Sequence, residues 1–412
     1  MIWLKLGWRN LWRNKRRTII EILSIGGSVF LCVIWNNLAV GSYNQMIDLG
    51  VRMGSGHIGI YHERYLEERK TEDVVNHADE IVTQIEELPG VSGVFPRLQV
   101  PALIRSARES RSTGLMGLDF VREIETNPIL ASKRLIEGSI PSPENGNTAL
   151  IGYRLARELN LVVGNKFVIM AQDAEGEIAS SLFRVAGIIR TNVRELDASV
   201  VVVDRKILAD IIKRPDSAHE VAVLLENHQL IGKTKPHIDG IVRSYPPAVA
   251  YPWQEAMEDL AASIQIDHVG LEIMVIILYI IVGIGTINTI LMSVMERARE
   301  FGVVRAIGVN KSGVRMMVFA EAFVLACVGI ACGIFASFLV GLYTSTHGID
   351  LTGMIEEQGV GGVMFDPIMY STWDITGTAV MIIAMLLVAL AASLYPAHYV
   401  LKIRPSEAMR KY

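Results

Sequence analysis

Four stretches of the chain, Thr18–Val40, Ile273–Met295, Met316–Tyr343 and Ile375–Ala397, are almost uninterrupted in apolar residues. Each has the roughly 20 positions that an α-helix needs to cross a bilayer. Between the first and second runs the pattern changes. "GHIGIYHE" alternates like a strand. Behind a capping Asp73, residues Val74, Ala78, Ile81, Val82, Ile85 and Leu88 fall on one helical face, Pro89-Gly90 ends it, and "VSGVFPRLQVPALI" is extended. The same order returns later: "EVAVLLE" as a strand, Gln229–Val242 as a helix with Ile238, Ile241, Val242 and Tyr245 on one side, and "AVAY" extended. These two β-α-β units predict the halves, 41–105 and 206–266, of one subdomain. Residues 106–205, with "KFVIMAQ", "SLFRVAGII" and "SVVVV", predict a strand-rich subdomain inserted between them. A helix over 255–268 leads into the second span, which then occupies 267–295. The expected fold is a membrane protein of four transmembrane α-helices with one large α+β domain over 41–266.

Charge gives this layout a direction. Lys and Arg number six in residues 1–17, five in 296–315 and four in 398–412, whereas 344–374 has none. The loop 344–374 carries Asp350, Glu356, Glu357, Asp366 and Asp374 instead. The positive-inside rule therefore predicts both termini and 296–315 in the cytoplasm, with the large domain outside. Trp3, Trp8 and Trp12 with Arg13, Lys15, Arg16 and Arg17 predict an amphipathic surface helix over 1–17, ahead of a retained anchor at 18–40. Hydrophobic residues make up 51% of the 412 and charged ones 20%, too apolar for a soluble enzyme. A net charge of −4 gives no reason to expect nucleic-acid binding. Cys32, Cys327 and Cys332 lie in apolar runs and predict no disulfide framework.

Several chemical motifs fail on context. "GSGHIG" at Gly54–Gly59 has dinucleotide-site spacing but opens a strand where a phosphate site needs a helix. "GKT" at Gly232–Thr234 lacks the first glycine of a P-loop, since Asn227 stands there. His57 and His62 have no metal-site spacing. No metal, cofactor or catalytic residue is expected. Glu21, Glu272 and Glu321 fall near span ends, where snorkelling or pairing with arginine suffices, so an ion-coupled pump is not favoured.

The segment "ERAREFGVVRAIGV", Glu296–Val309, joins two spans yet is sided like a helix. Phe301, Val304 and Ile307 recur at one-turn spacing, with Glu296, Glu300 and Arg305 beside them. Together with "SVM" before it and "NKSGVRMMVFAEA" after it, it resembles the end of the second span in FtsX-like permeases of ABC transporters, the group of MacB, LolC and LolE. Glu296, Arg297, Glu300, Phe301, Gly302, Arg305, Ala306, Ile307 and Gly308 carry the match. "WRNLWRNKRRT" and "SLYPAHYVLKIRPSEAMRKY" resemble that family's opening and closing patterns, and "GVFPRLQVPALI", "GLMGLD" and "LARELNLVVGNKFVIMA" its outer region.

The resemblance implies a porter-like outer domain and a coupling helix docking on a separate ABC ATPase subunit, two copies per complex, with ATP and Mg on that subunit. Val304 joins the family-matched residues in that expected ATPase-facing set. A second permease copy or a paralogue is implied, and Gly283, Gly285, Gly329 and Gly333 would allow close helix packing in such a pair. A Lol-type role implies extraction of lipoproteins from the outer leaflet of a bacterial inner membrane and a carrier or adaptor in the periplasm. Ile22, Val29, Val33, Met274 and Ile277 are the candidate lining of a cargo cavity. "GSGHIGIYHERYLEE" resembles Lol-type permeases and favours that role. The alternatives are MacB-like export of drugs, peptides or toxins through an outer-membrane duct, and an FtsX-like scaffold controlling cell-wall hydrolases.

Overall fold

The computed structural model describes residues 7–9, 12–142, 146–351 and 368–402. Trp3 and the closing residues 403–412 lie outside these. The longer helices are α1 (Lys15–Met53), α2 (Ala78–Glu86), α3 (Ile231–Val242), α4 (Glu258–Glu296), α5 (Ala298–Ala306), α6 (Lys311–His347) and α7 (Ile375–Lys402). Helices α1, α4, α6 and α7 are long and apolar enough to cross a membrane. The described residues divide into two compact units, a helical one (7–9, 12–43, 266–351, 368–402) and a strand-rich one (44–142, 146–265).

The helical unit is held by close backbone approach and by an apolar core. Ile25, Val29 and Val33 of α1 pack with Val282 of α4, Leu325 and Ile330 of α6 and Met385 of α7. Helices α1 and α6 touch through glycine. A Cβ on Gly329 would sit 2.8 Å from the Ile25 side chain, and one on Gly333 would sit 2.5 Å from the Gly26 carbonyl oxygen. Gly283 lies against Val388 and Gly285 against Glu21. All four glycines expected at a contact between copies thus face neighbours in their own chain, and at Gly329 and Gly333 the missing side chain is what lets the helices approach.

The strand-rich unit is built from β1 (Ile58–His62), β2 (Val91–Arg105), β3 (Ser110–Leu118), β4 (Leu135–Gly138), β5 (Thr148–Gly152), β6 (Lys166–Gln172), β7 (Ile178–Ile189), β8 (Val200–Asp204), β9 (Glu220–Leu225) and β10 (Ala248–Pro252). Strands β10, β1, β9 and β2 lie side by side, each pair antiparallel. This is the interleaved order of two split β-α-β units. Alternate residues of β9 explain its unbroken apolar run. Val221, Val223 and Leu225 meet Ile81, Val82 and Ile85 of α2 and Ile238 and Val242 of α3. Ala222 and Leu224 face the other way, onto Met46 and Val51 of α1 and Leu260 of α4. A sheet covered on both faces has no polar side to alternate with.

Helix α2 begins later than the sequence pattern predicts. Val75-Asn76 pairs with Ser217-Ala218 as a short ladder, and His77, not Asp73, precedes the first turn. Asp73 is buried beside His62 instead. A tertiary strand contact has displaced the local capping preference.

Strand β2 belongs to two structures in turn. Its first half, to Arg97, pairs with β9. Its second half, from Leu98, pairs with β3 and then β6. The ladders β2–β3–β8–β5–β7–β6 return to β2 and close a barrel, with β4 paired on the outside of the ring to β7. Closure removes the exposed strand edges. Its interior is filled by residues such as Leu98, Ile104, Leu115, Ile151, Phe167, Phe183 and Val201.

Arg97 stands where β2 changes partners and is fully buried. It donates to Glu123 (2.9 Å from Nε) and to the carbonyl oxygens of Arg52 and Gly54 at the C-terminal end of α1. Glu220 of β9 lies 3.5 Å from its Nη1. Tyr61 donates to Glu220 and Asn127 to Glu123. Burial pushes the Glu220 carboxyl above its ordinary range, against the pull of Arg97. One guanidinium therefore ties together a helix end, the sheet and the start of the barrel. Replacing Arg97 with Ala leaves two buried carboxylates without their counterion. It should destabilise this unit by about 3–5 kcal/mol, read as lost hydrogen-exchange protection in β1, β2 and β9.

His219 is also fully buried and stacks on Tyr65. Its Nδ1 accepts from the Gln99 amide at 3.1 Å, so the proton sits on Nε2, which faces the Thr71 carbonyl at 3.1 Å. Burial lowers its pKa from 6.5 to about 4, outweighing the Thr71 and Asp73 contributions. The unfolded chain takes up a proton below pH 6.5 and the folded one refuses it until about pH 4, so stability falls as pH drops through that window. The loss should total about 3 kcal/mol. Denaturant titrations at pH 7 and pH 4.5 should show it, and His219→Gln should flatten the difference.

Candidate functional site

The segment joining α4 to α6 is a short helix fixed at both ends and along one side. Helix α4 ends at Glu296, Arg297 turns the chain, and α5 runs to Ala306. Gly308 has φ +102°, and the amides of Gly308 and Val309 bond back to the carbonyls of Arg305 and Val304. This is the Schellman stop, which needs a residue free to enter the left-handed region. Asn310 then caps α6 through the Gly313 amide at 2.7 Å.

Charge fixes the segment laterally. Arg17 makes a two-pronged pair with Glu296 (3.0 and 2.6 Å), and Arg13 pairs with Glu300. Arg297 reaches Glu300 at 3.1 Å and Glu321 of α6 at 2.9 Å, and Ser293 donates to the other oxygen of Glu321. Burial alone would raise the Glu300 carboxyl, but hydrogen bonds from Arg13 and Arg297 outweigh it and hold it below the usual range.

The apolar residues of α5 divide into two sets. Phe301 is 4% exposed and sits in a core with Ile290, Val294, Val314, Val318, Ala322, Ala397 and Val400, under the Arg297 guanidinium. Ile307 is 76% exposed and Val303 46%. The expected face of Phe301, Val304 and Ile307 is therefore corrected. Phe301 and Gly302 turn inward, Val304 and Arg305 are half-buried, and Arg299, Val303 and Ile307 form the outward surface. An aromatic ring between two apolar helices loses more by facing water than a terminal isoleucine does. Gly308 stops the helix, and Glu296, Arg297 and Glu300 are engaged within the chain.

The proposed cargo lining is separated. Val29 and Val33 are buried at 3% and 4% exposure in the bundle core with Ile22 packed beside them, Met274 is half-buried, and Ile277 is exposed. The first three are packing residues of the helical core. What sequence reading missed is the role of Arg13 and Arg17. Their four-residue spacing upstream of Glu21 was the available signal.

Residues 272–405, which contain this segment, match the family described as FtsX-like permease C-terminal. The chain carries an FtsX-like permease domain. This permease is 23% identical over 337 residues to the lipoprotein-releasing system transmembrane protein LolC of Xylella fastidiosa, covering 78% of each chain. It is 22% identical over 342 residues to LolC of Neisseria meningitidis serogroup B, again 78% of each. A macrolide export ATP-binding/permease protein, MacB 1 of Yersinia pestis, is 33% identical over 92 residues, 22% of this chain and 14% of that one. Among solved structures, the periplasmic region of MacB from Actinobacillus actinomycetemcomitans is similar at TM-score 0.37 and 10% identity, covering 50% of this chain and 93% of that one. The extracellular domain of YknZ, from Gram-positive bacteria, is similar at TM-score 0.33 and 12% identity, covering 45% and 92%. The sequence matches support an ABC transporter permease of the Lol/MacB type.

The geometry separates fold from surface. Phe301→Ala should cost about 3–5 kcal/mol and lower the thermal midpoint in detergent. Ile307→Asp should leave stability within about 0.5 kcal/mol.

Proposed function

We propose that this permease passes ATP hydrolysis by a separate cytoplasmic ABC ATPase subunit to its outer, strand-rich unit, and that its cargo is lipoprotein drawn from the outer leaflet of the inner membrane. The observation that supports the first part is α5. It is fixed by ion pairs and by Phe301, yet leaves Val303 and Ile307 uncovered. An apolar, pre-ordered helix face suits insertion into a groove on a partner. The Lys/Arg bias supports a cytoplasmic position for this face and both termini and an outer position for the strand-rich unit, and the likeness to LolC supports reading that outer side as a periplasm. Two ATPase copies and a second permease, identical or paralogous, complete the reading.

The lipoprotein cargo rests on the sequence likeness to LolC along most of both chains, whereas the sequence match to MacB 1 covers 22% of this chain. No outward force has to pass through a polar pore in this scheme. Within the strand-rich unit, Met46 and Val51 of α1 and Leu260 of α4 pack against one face of the four-stranded sheet. A periplasmic carrier or adaptor would receive the cargo.

Ile307→Asp should abolish co-purification of the ATPase encoded with this permease while leaving the chain folded. Retention of the ATPase at wild-type yield would overturn docking through this face. Release of a labelled lipoprotein from reconstituted vesicles on adding ATP should occur with a periplasmic acceptor present. Drug or peptide export without it would point to the MacB-like alternative.

A further inference from the structure

We propose that Arg13, Arg17 and Glu21 form a polar seam that fixes α1 to α4 and α5, so that a push on α5 is carried outward by two helices moving as one. The inference rests on the docking reading above for the origin of the push, but the seam itself stands on its own geometry. Arg13 lies in the turn Trp12–Asn14 just ahead of α1, and the three residues follow at four-residue spacing, along one face. Their partners run in the opposite order. Arg13 takes Glu300, Arg17 takes Glu296, and Glu21 accepts from Thr289 at 2.8 Å and Thr286 at 2.9 Å. That is the register two antiparallel helices require.

The seam strengthens inward. Its outer ion pairs are exposed to water and individually weak. Glu21 is 3% exposed within an apolar helix. Parting α1 from α4 there would strip both hydroxyls from a carboxylate with no water to replace them, which is the costly situation for a polar group in hydrocarbon. Gly285 lies beside the seam, where a Cβ would be in ordinary contact, 3.7 Å from a Glu21 oxygen. Arg297 extends the same network to Glu321 on α6. Thr286 is fully buried and its hydroxyl donates to Glu21. Glu21 is therefore a positioning residue that couples helices.

The test uses the full chain with its ATPase. Glu296→Arg alone should cut ATP hydrolysis by the complex about five-fold, and the swap Arg17→Glu with Glu296→Arg should restore it. In a chain whose native cysteines are replaced by Ser, Arg17→Cys with Glu296→Cys should cross-link through a short bifunctional thiol reagent equally with and without nucleotide, and the locked complex should still turn over. Failure of the swap to rescue, a cross-link that nucleotide abolishes, or a lock that stops turnover would each overturn the seam. If the wild-type chain does not hold the ATPase at all, the docking reading falls instead. The seam is then read from thermal midpoints in detergent, where rescue by the swap supports it and independent, additive effects of the two substitutions overturn it.

Discussion

A charge taken out of water must be met by an opposite charge or by oriented donors, and that constraint fixes the joints of this permease. In the strand-rich unit, Arg97 is the meeting point of β2, β9, the helical turn at Glu123 and the carbonyls ending α1. In the helical unit, Glu21 and Glu321 are the corresponding points, one met by two threonines and the other by Arg297 and Ser293. Apolar packing supplies most of the cohesion around them, but packing tolerates small slips. A buried ion pair does not, because a shifted partner leaves an uncompensated charge.

Placing such groups at joints gives the fold stiffness where elements meet. The four-stranded sheet is covered by α2 and α3 on one face and by the ends of α1 and α4 on the other. The barrel shares β2 with that sheet. Movement of β2 at Arg97 is therefore felt on both sides of the partner change, within one continuous strand. In the helical unit, α5 is stopped by Gly308 and fixed by Phe301, which leaves its uncovered face small and defined.

Two features show how burial reassigns residues that local pattern places elsewhere. Phe301 has the right spacing for an outward face with Ile307, yet the neighbouring apolar helices claim it. Gly329 and Gly333 read as a contact for another copy, yet α1 of the same chain fills the space. In both, the nearer partner within the chain wins, since it is always present at high effective concentration.

By itself the sequence determined the four spans, their charge asymmetry, the two β-α-β units and the sided character of Glu296–Val309. These are local: period, run length and charge sign are set by neighbours along the chain. The start of α2 was misplaced because the pairing of Val75-Asn76 with Ser217-Ala218 is distant in sequence. Barrel closure, the partner change at Arg97, and the order Arg13, Arg17, Glu21 against Glu300, Glu296, Thr289 were decided only by tertiary structure. Each depends on which remote groups arrive within hydrogen-bond reach, and no residue's own spacing records the address of its partner.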